Sequence, residues 1–283
     1  MIPRWLRRRA TASGGESPAR RLARARPPGA YPGVRAVIIL ASQRCGSTLI
    51  TEDIAATGRM GRPDEHLLPL LRAAPDAPLP DFFAQGMCDD CFGAKVMIGQ
   101  FEGFGAYLDA PRRALSLLDA GDRAGLAADF LSGIERRFDP VTWLWISRRD
   151  RFAQAYSRLR ARATGVYHHR QSGGPLRQRP PVTTEITPAT LHEEMGRIAA
   201  DDAFFARTVA RCGIAPLHIV YEDYLAEPEA CFAAISRHAG LDLSRPAERA
   251  TRTEKIVDTP ELEAARAAFE AVHGAGSAAP AEG

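Results

Sequence analysis

Hydrophobic positions along this chain fall into short unbroken runs separated by longer amphipathic stretches. Ala36-Val37-Ile38-Ile39-Leu40 is wholly apolar and β-branched at its centre, the pattern of a strand buried on both faces of a parallel sheet. A loop over 41–47 follows at once. The spacing then predicts a helix from about Thr48, with Leu49, Ile50 and Ile54 facing inward and Gly58 as its C-terminal cap. Three further strands are predicted at 94–98, 142–147 and 217–221. The first leads into sequence rich in Phe and Gly. The second runs through a charged turn into a helix over about 150–163, and the third precedes Glu222-Asp223 and a helix opened by Pro228. Helices are also predicted near 115–138 and 191–212.

Strands alternating with helices indicate an α/β fold, a single domain with a central parallel β-sheet flanked by helices on both faces. The stretch 164–188 is rich in Arg, His, Gly and Pro without periodicity and is predicted as a long loop. There is no internal repeat. The expected organisation is a basic disordered tail over 1–34, one domain over 35–273, and a second tail over 274–283.

Composition changes this picture only at the ends. With 283 residues, 45% hydrophobic and 25% charged, the chain is long enough for a sizeable core. The net charge of +3 is concentrated in the arginine-rich first 35 residues. No apolar run follows Arg7-Arg8-Arg9, so a secretory signal is not expected, and Pro27, Pro28, Gly29, Pro32 and Gly33 interrupt any helix there. That segment reads as a solvated tail, with an electrostatic contact arm as the alternative. No stretch approaches the length of a membrane span. Five cysteines, an odd number at scattered positions, fit a reducing cytoplasm. Cys88 and Cys91 have a metal-like gap but no second pair nearby, so free thiols are expected.

The chemistry lies in the first loop. A buried strand feeding a glycine-containing turn into a helix start is an anion trap, because the first amides of the helix lack internal partners and the helix dipole adds positive potential. Ala41, Gly46, Ser47 and Thr48 keep the spacing of a nucleotide P-loop, but its first glycine is Ala41 and its lysine is Ser47. The loop cation is instead Arg44. Kinase or nucleotidase chemistry loses its main phosphate cation by this exchange, whereas one guanidinium, loop amides and a hydroxyl suit a phosphosulfate. The plain alternative is a strand–turn–helix with an exposed arginine.

Ser42-Gln43-Arg44-Cys45-Gly46-Ser47-Thr48-Leu49 resembles the loop of the bacterial trehalose 2-sulfotransferase-type family, where Ser-Gln-Arg-Ser-Gly-Ser-Thr-Leu is typical. Four more segments resemble it in order: Gly61-Arg62-Pro63-Asp64-Glu65, Gly93-Ala94-Lys95, Arg148-Arg149-Asp150 with Gln154-Ala155 and Ser157, and Leu217 to Asp223. The resemblance covers about Val37 to Gly240 and implies the sulfotransferase fold. It implies 3′-phosphoadenosine 5′-phosphosulfate (PAPS) as donor, without a required metal, and a carbohydrate or glycolipid hydroxyl as acceptor. It also implies that Arg44, Cys45, Gly46, Ser47 and Thr48 surround the 5′-phosphosulfate, and that Ser157 holds the 3′-phosphate with Arg149 or Arg148, the usual spacing selecting Arg149. Glu65 matches the catalytic glutamate and so becomes the expected general base, with capping of a short helix near Pro63 as its alternative role. His66 is the rival base or a wall of the acceptor pocket. A homodimer is expected, and no nucleic-acid partner.

The chain departs from the family at three places. Cys45 replaces a serine at a helix N-terminus, where a thiol tends towards lowered pKa and reactivity, and is expected here to be a tolerated small residue. The region 252–269 lacks the family's tryptophan, and the stretch around His168, His169 and Arg170 differs, which leaves the acceptor open.

Overall fold

A computed structural model of the chain describes residues 29–66, 68, 82–108, 111–170, 174–177, 181–246, 253–254 and 259–274. The tails expected over 1–34 and 274–283 fall almost entirely outside the described residues.

The first apolar run forms β1 (Arg35–Ala41), and both of its faces are buried, as an all-apolar strand requires. Ala36, Ile38 and Leu40 pack with Phe92, Phe104 and Phe130 on one face. Val37, Ile39 and Ala41 pack with Ile50, Ile54 and Phe232 on the other. After β1 come α1 (Ser47–Ala56), a short α2 (Phe82–Gly86) and a tight hairpin of β2 (Met87–Cys88) and β3 (Cys91–Met97). Helices α3 (Phe101–Leu108) and α5 (Arg123–Glu135) then cover one face of the sheet, and α4 (Pro111–Ala120) packs against both of them. β4 (Val141–Ser147) leads into α6 (Arg151–Thr164), and β7 (Leu217–Val220) closes the parallel set.

The sheet order is β2-β3-β1-β4-β7. β3, β1, β4 and β7 (Leu217–Val220) are parallel, and β2 is an antiparallel edge. The chain leaves β1 for β3 on one side and then crosses to β4 on the other. The carboxyl ends of β1 and β4 therefore flank the switch point of the sheet, where open α/β sheets form their ligand crevice.

Three expectations need correction. The helix predicted near 115–138 is two helices, because Gly121 turns the chain at φ 66 and the Asp122 side chain caps α5 by accepting from the Gly125 amide at 2.9 Å. The strand predicted at 94–98 begins at Cys91, since Phe92 and Gly93 continue the buried run. The stretch predicted as a structureless loop contains an antiparallel hairpin, β5 (Val166–Arg170) and β6 (Gly174–Arg177), which β8 (Thr253–Glu254) extends to three strands. Its sequence has no alternation, and its pairing with residues some 80 positions later is invisible to any local window. Between β6 and β7 runs the long α7 (Pro188–Arg211), capped by Thr187. After β7 come α8 (Tyr221–Ala226), α9 (Pro228–Ala239) and, last, α10 (Thr259–His273). A third core joins Phe152, Tyr156 and Leu159 of α6 to Leu191, Ile198 and Phe269. Among the described residues no helix is long and apolar enough to cross a membrane.

Candidate active site

The turn after β1 is held in an unusual backbone shape. Arg44 sits at φ 65 and Gly46 at φ 87, and a left-handed conformation at a non-glycine residue is uncommon and clusters at functional turns. Gly46 is required twice over. Its φ disfavours any side chain, and a Cβ there would lie 2.1 Å from the Tyr221 ring. The fully buried Gln154 of α6 clamps the start of the turn, donating to Ser42 Oγ at 2.8 Å and to the Gln43 carbonyl at 2.9 Å. Helix α1 then starts at Ser47, so its first-turn amides open onto this turn.

The Arg44 side chain leaves the turn toward α6. Its Nε donates to Ser157 Oγ at 2.9 Å, and one terminal nitrogen donates to the Tyr167 carbonyl of β5. Burial pulls the pKa of this guanidinium below its ordinary value, and the neighbouring Arg148 charge pulls the same way. The groups that act in the other direction are Cys45, Tyr167 and Tyr221, none of them a carboxylate. Arg148 reaches the Arg44 carbonyl at 3.5 Å, lies over the Tyr221 ring 5.3 Å from its centroid, and approaches Glu222 at 3.7 Å. Two like charges therefore share one partly buried place.

Arg149 goes elsewhere. It donates to both oxygens of Asp223, at 2.7 and 2.9 Å, and its side chain is 36% exposed against 17% for Arg148. That pairing raises its pKa. The turn thus gathers Arg44, Gly46, Ser47, Ser157 and Arg148, and leaves Arg149 at the rim. Thr48 is half-buried beside Ser47.

Cys45 packs as a small buried residue and not as an activated thiol. The thiol is fully buried, and burial pushes its pKa up, outweighing the hydrogen bonds from Ser47 that would lower it. The pair Cys88 and Cys91 face each other across the β2–β3 hairpin as free thiols, with Cys91 pushed up to about 12 by burial.

Glu65 arrives from the extended stretch after α1. That stretch crosses β3 so closely that a Cβ on Gly61 would lie 2.1 Å from the Gly93 amide. The Lys95 amide donates to the Asp64 carbonyl at 2.9 Å, which fixes the crossing. The Glu65 carboxylate then stands 3.6 Å from the buried Lys95 ammonium and accepts from Gln100 at 3.3 Å. Its side chain is thus turned to β3 and the turn after it, not used as a helix cap. Lys95 pairs in register with Ile39 of β1, and its charge acts on Cys45, which ties the Glu65 corner to the turn. Asp64 is exposed and accepts from the Glu65 amide at 2.7 Å, while the His66 ring lies 2.5 Å from the Arg62 carbonyl.

Sequence reasoning assigned no role to Gln154, Lys95, Gln100, Tyr221 or Glu222. Glu222 accepts from the Arg149 and Asp150 amides at 2.9 and 3.2 Å and so joins the end of β7 to the start of α6. The available signal was position: each stands in or just after a strand's carboxyl end, or one turn into the helix that follows. Among the described residues no group of three or more His, Cys, Asp or Glu is placed to hold a metal ion.

Comparison with known proteins adds one broad match. The family model described as Stf0 sulphotransferase matches residues 36–267. No curated protein matches the chain. Among solved structures, it is similar to the sulfotransferase domain from the Synechococcus PCC 7002 olefin synthase, with 16% identity over 85% of this chain and 84% of that one and a TM-score of 0.39.

Proposed function

Since the chain belongs to the Stf0 sulphotransferase family, the trehalose 2-sulfotransferase family, we propose that it transfers the sulfuryl group of PAPS to a hydroxyl of a carbohydrate or glycolipid. One observation carries this reading. The Arg44 guanidinium is half-buried, its main electrostatic neighbours among the described residues include no carboxylate, and a second guanidinium, Arg148, repels it across a turn of helix-start amides. Two guanidinium groups, with a carboxylate, Glu222, 3.7 Å from one of them, leave the turn net positive, which preorganises it for an anion.

Each residue has a role in that chemistry. Arg44, Ser47, Thr48 and the turn amides hold the 5′-phosphosulfate and stabilise the phosphate that departs. Ser157 and Arg148 take the 3′-phosphate. The two phosphates of the donor sit on one ribose, so their sites must be neighbours, and the 2.9 Å link between Arg44 and Ser157 is consistent with that. Arg148, facing Arg44 and 3.7 Å from Glu222, suits this role better than Arg149, which Asp223 holds by two short hydrogen bonds. Glu65 accepts the proton of the acceptor hydroxyl as its oxygen bonds to sulfur. The S–O bond to the 5′-phosphate breaks, and its electron pair leaves with adenosine 3′,5′-bisphosphate (PAP). Lys95 and Gln100 aim the carboxylate.

The test pairs calorimetry with a transfer assay. Arg44→Ala should lose both PAP affinity and turnover. Glu65→Gln should keep PAP affinity and lower turnover by roughly 10²–10⁴. Absence of PAP binding by the unaltered chain, or wild-type behaviour of Arg44→Ala, would overturn the reading. Radiolabelled donor offered with trehalose and with cell extract, followed by mass analysis of the labelled product, identifies the acceptor.

A further inference from the structure

Helix α6 meets the turn at two places, three residues apart along one of its faces. Ser157 accepts from the Arg44 side chain at 2.9 Å. Gln154, with no exposed surface, directs its amide nitrogen to Ser42 Oγ at 2.8 Å and to the Gln43 carbonyl at 2.9 Å. The carbonyl fixes which way round this amide sits, because it can only accept, and the opposite orientation would set two oxygens against each other. Gln154 Oε1 is left buried without a hydrogen-bond partner among the described residues. An apolar side chain of similar size would avoid the cost of that orphan, but it could not hold the turn. The carbonyl that Gln154 holds belongs to the peptide entering Arg44, the residue at φ 65. Such a backbone angle persists where its surroundings over-determine it.

Resting on the sulfotransferase reading, we propose that Gln154 is a positioning residue that makes the site selective for a nucleoside 3′,5′-bisphosphate over a nucleoside 5′-phosphate. On that reading the turn takes the 5′ group, and Ser157 with Arg148 takes the 3′-phosphate. A ligand with two phosphates gains from the second only if the two subsites keep the separation that its ribose imposes. A fluctuating separation lowers the effective concentration of one phosphate at its subsite. Arg44 and Ser157 both turn to phosphate oxygens when the nucleotide enters, so their mutual bond does not secure the spacing. The two bonds of Gln154 run from α6 to Ser42 and the turn backbone, beneath the surface, and stay in place. They tie the 5′ subsite to the helix that carries Ser157. A 5′-monophosphate uses the turn alone and needs no such spacing.

The experiment measures two ligands by calorimetry on the full chain, PAP and adenosine 5′-phosphate (AMP). The unaltered chain should prefer PAP by about tenfold or more, as expected for charge-assisted hydrogen bonds to the extra phosphate. Gln154→Met, close in volume, should lower PAP affinity by about tenfold and AMP affinity by no more than about threefold. A general loss of structure would lower both alike. In a Ser157→Ala chain the same change should cost PAP markedly less, because α6 then carries no phosphate ligand to position. Equal losses for the two ligands, a folded Gln154→Met with wild-type PAP affinity, or the same PAP loss with and without Ser157 would each overturn the proposal. If Gln154→Met does not fold, Ser42→Ala decides the matter. It keeps the bond to the Gln43 carbonyl and should narrow the preference for PAP by about threefold; an unchanged preference rejects the proposal. An unaltered chain that binds PAP no better than AMP would overturn it too, whereas failure to bind PAP at all would sink the sulfotransferase reading instead.

Discussion

At the scale of single residues, neighbours decide which side chains are available for chemistry. Arg148 and Arg149 are adjacent in sequence and equal in charge, yet one faces Arg44 over the Tyr221 ring and the other is engaged by Asp223. Arg148→Ala should therefore weaken PAP binding by about tenfold or more, whereas Arg149→Ala should leave it unchanged; calorimetry on the two variants checks this. The same logic governs Cys45. A helix N-terminus favours a thiolate, but complete burial opposes it and wins, because removing a charge from water costs more than a helix dipole returns. The turn residues Arg44, Gly46 and Ser47 were legible in the sequence, since the glycine spacing and the missing lysine are local features. The direction each arginine takes was not, because a partner such as Asp223 lies 74 residues away.

Among elements, α6 carries most of the load. It begins at a cap where the Asp150 side chain accepts from the Ala153 amide at 2.9 Å, and it presents Gln154 to the turn and Ser157 to Arg44 from one face. Its opposite flank is locked to α7 by Glu194, which is fully buried and held by Arg158 at 2.9 Å, Arg162 at 2.7 Å and Arg197 at 3.2 Å. Glu194→Ala would leave Arg158 and Arg162 without their central counter-ion. It should destabilise the fold by about 3–5 kcal/mol, measured by urea unfolding, and should lower PAP affinity by letting α6 shift. Helix periodicity located α6 and α7 to within a few residues. The hairpin of β5 and β6 escaped because strands without alternation, joined to a distant third strand, carry no local period.

For the whole molecule, the sheet order brings the carboxyl ends of β1 and β4 together, so two segments about 100 residues apart in sequence meet at the proposed anion site. A ligand that binds only this assembled state stabilises it by mass action. PAP at about 100 times its Kd should add about 2.7 kcal/mol, read as a concentration-dependent rise in Tm. The same rise, and the same sulfate turnover, should persist in excess chelator, since two guanidinium groups and helix amides stand where a kinase would need a cation bridge; loss of either in chelator would contradict the reading. What the sequence by itself determined was everything of short range: the buried strands, the amphipathic helices, and the turn whose residues need particular backbone angles. The tertiary structure alone decided which charges meet. Arg44 with Arg148, Glu65 with Lys95, and Gln154 with Ser42 come together only after strands pair across the sheet, and burial sets their strength through a dielectric that no linear pattern encodes.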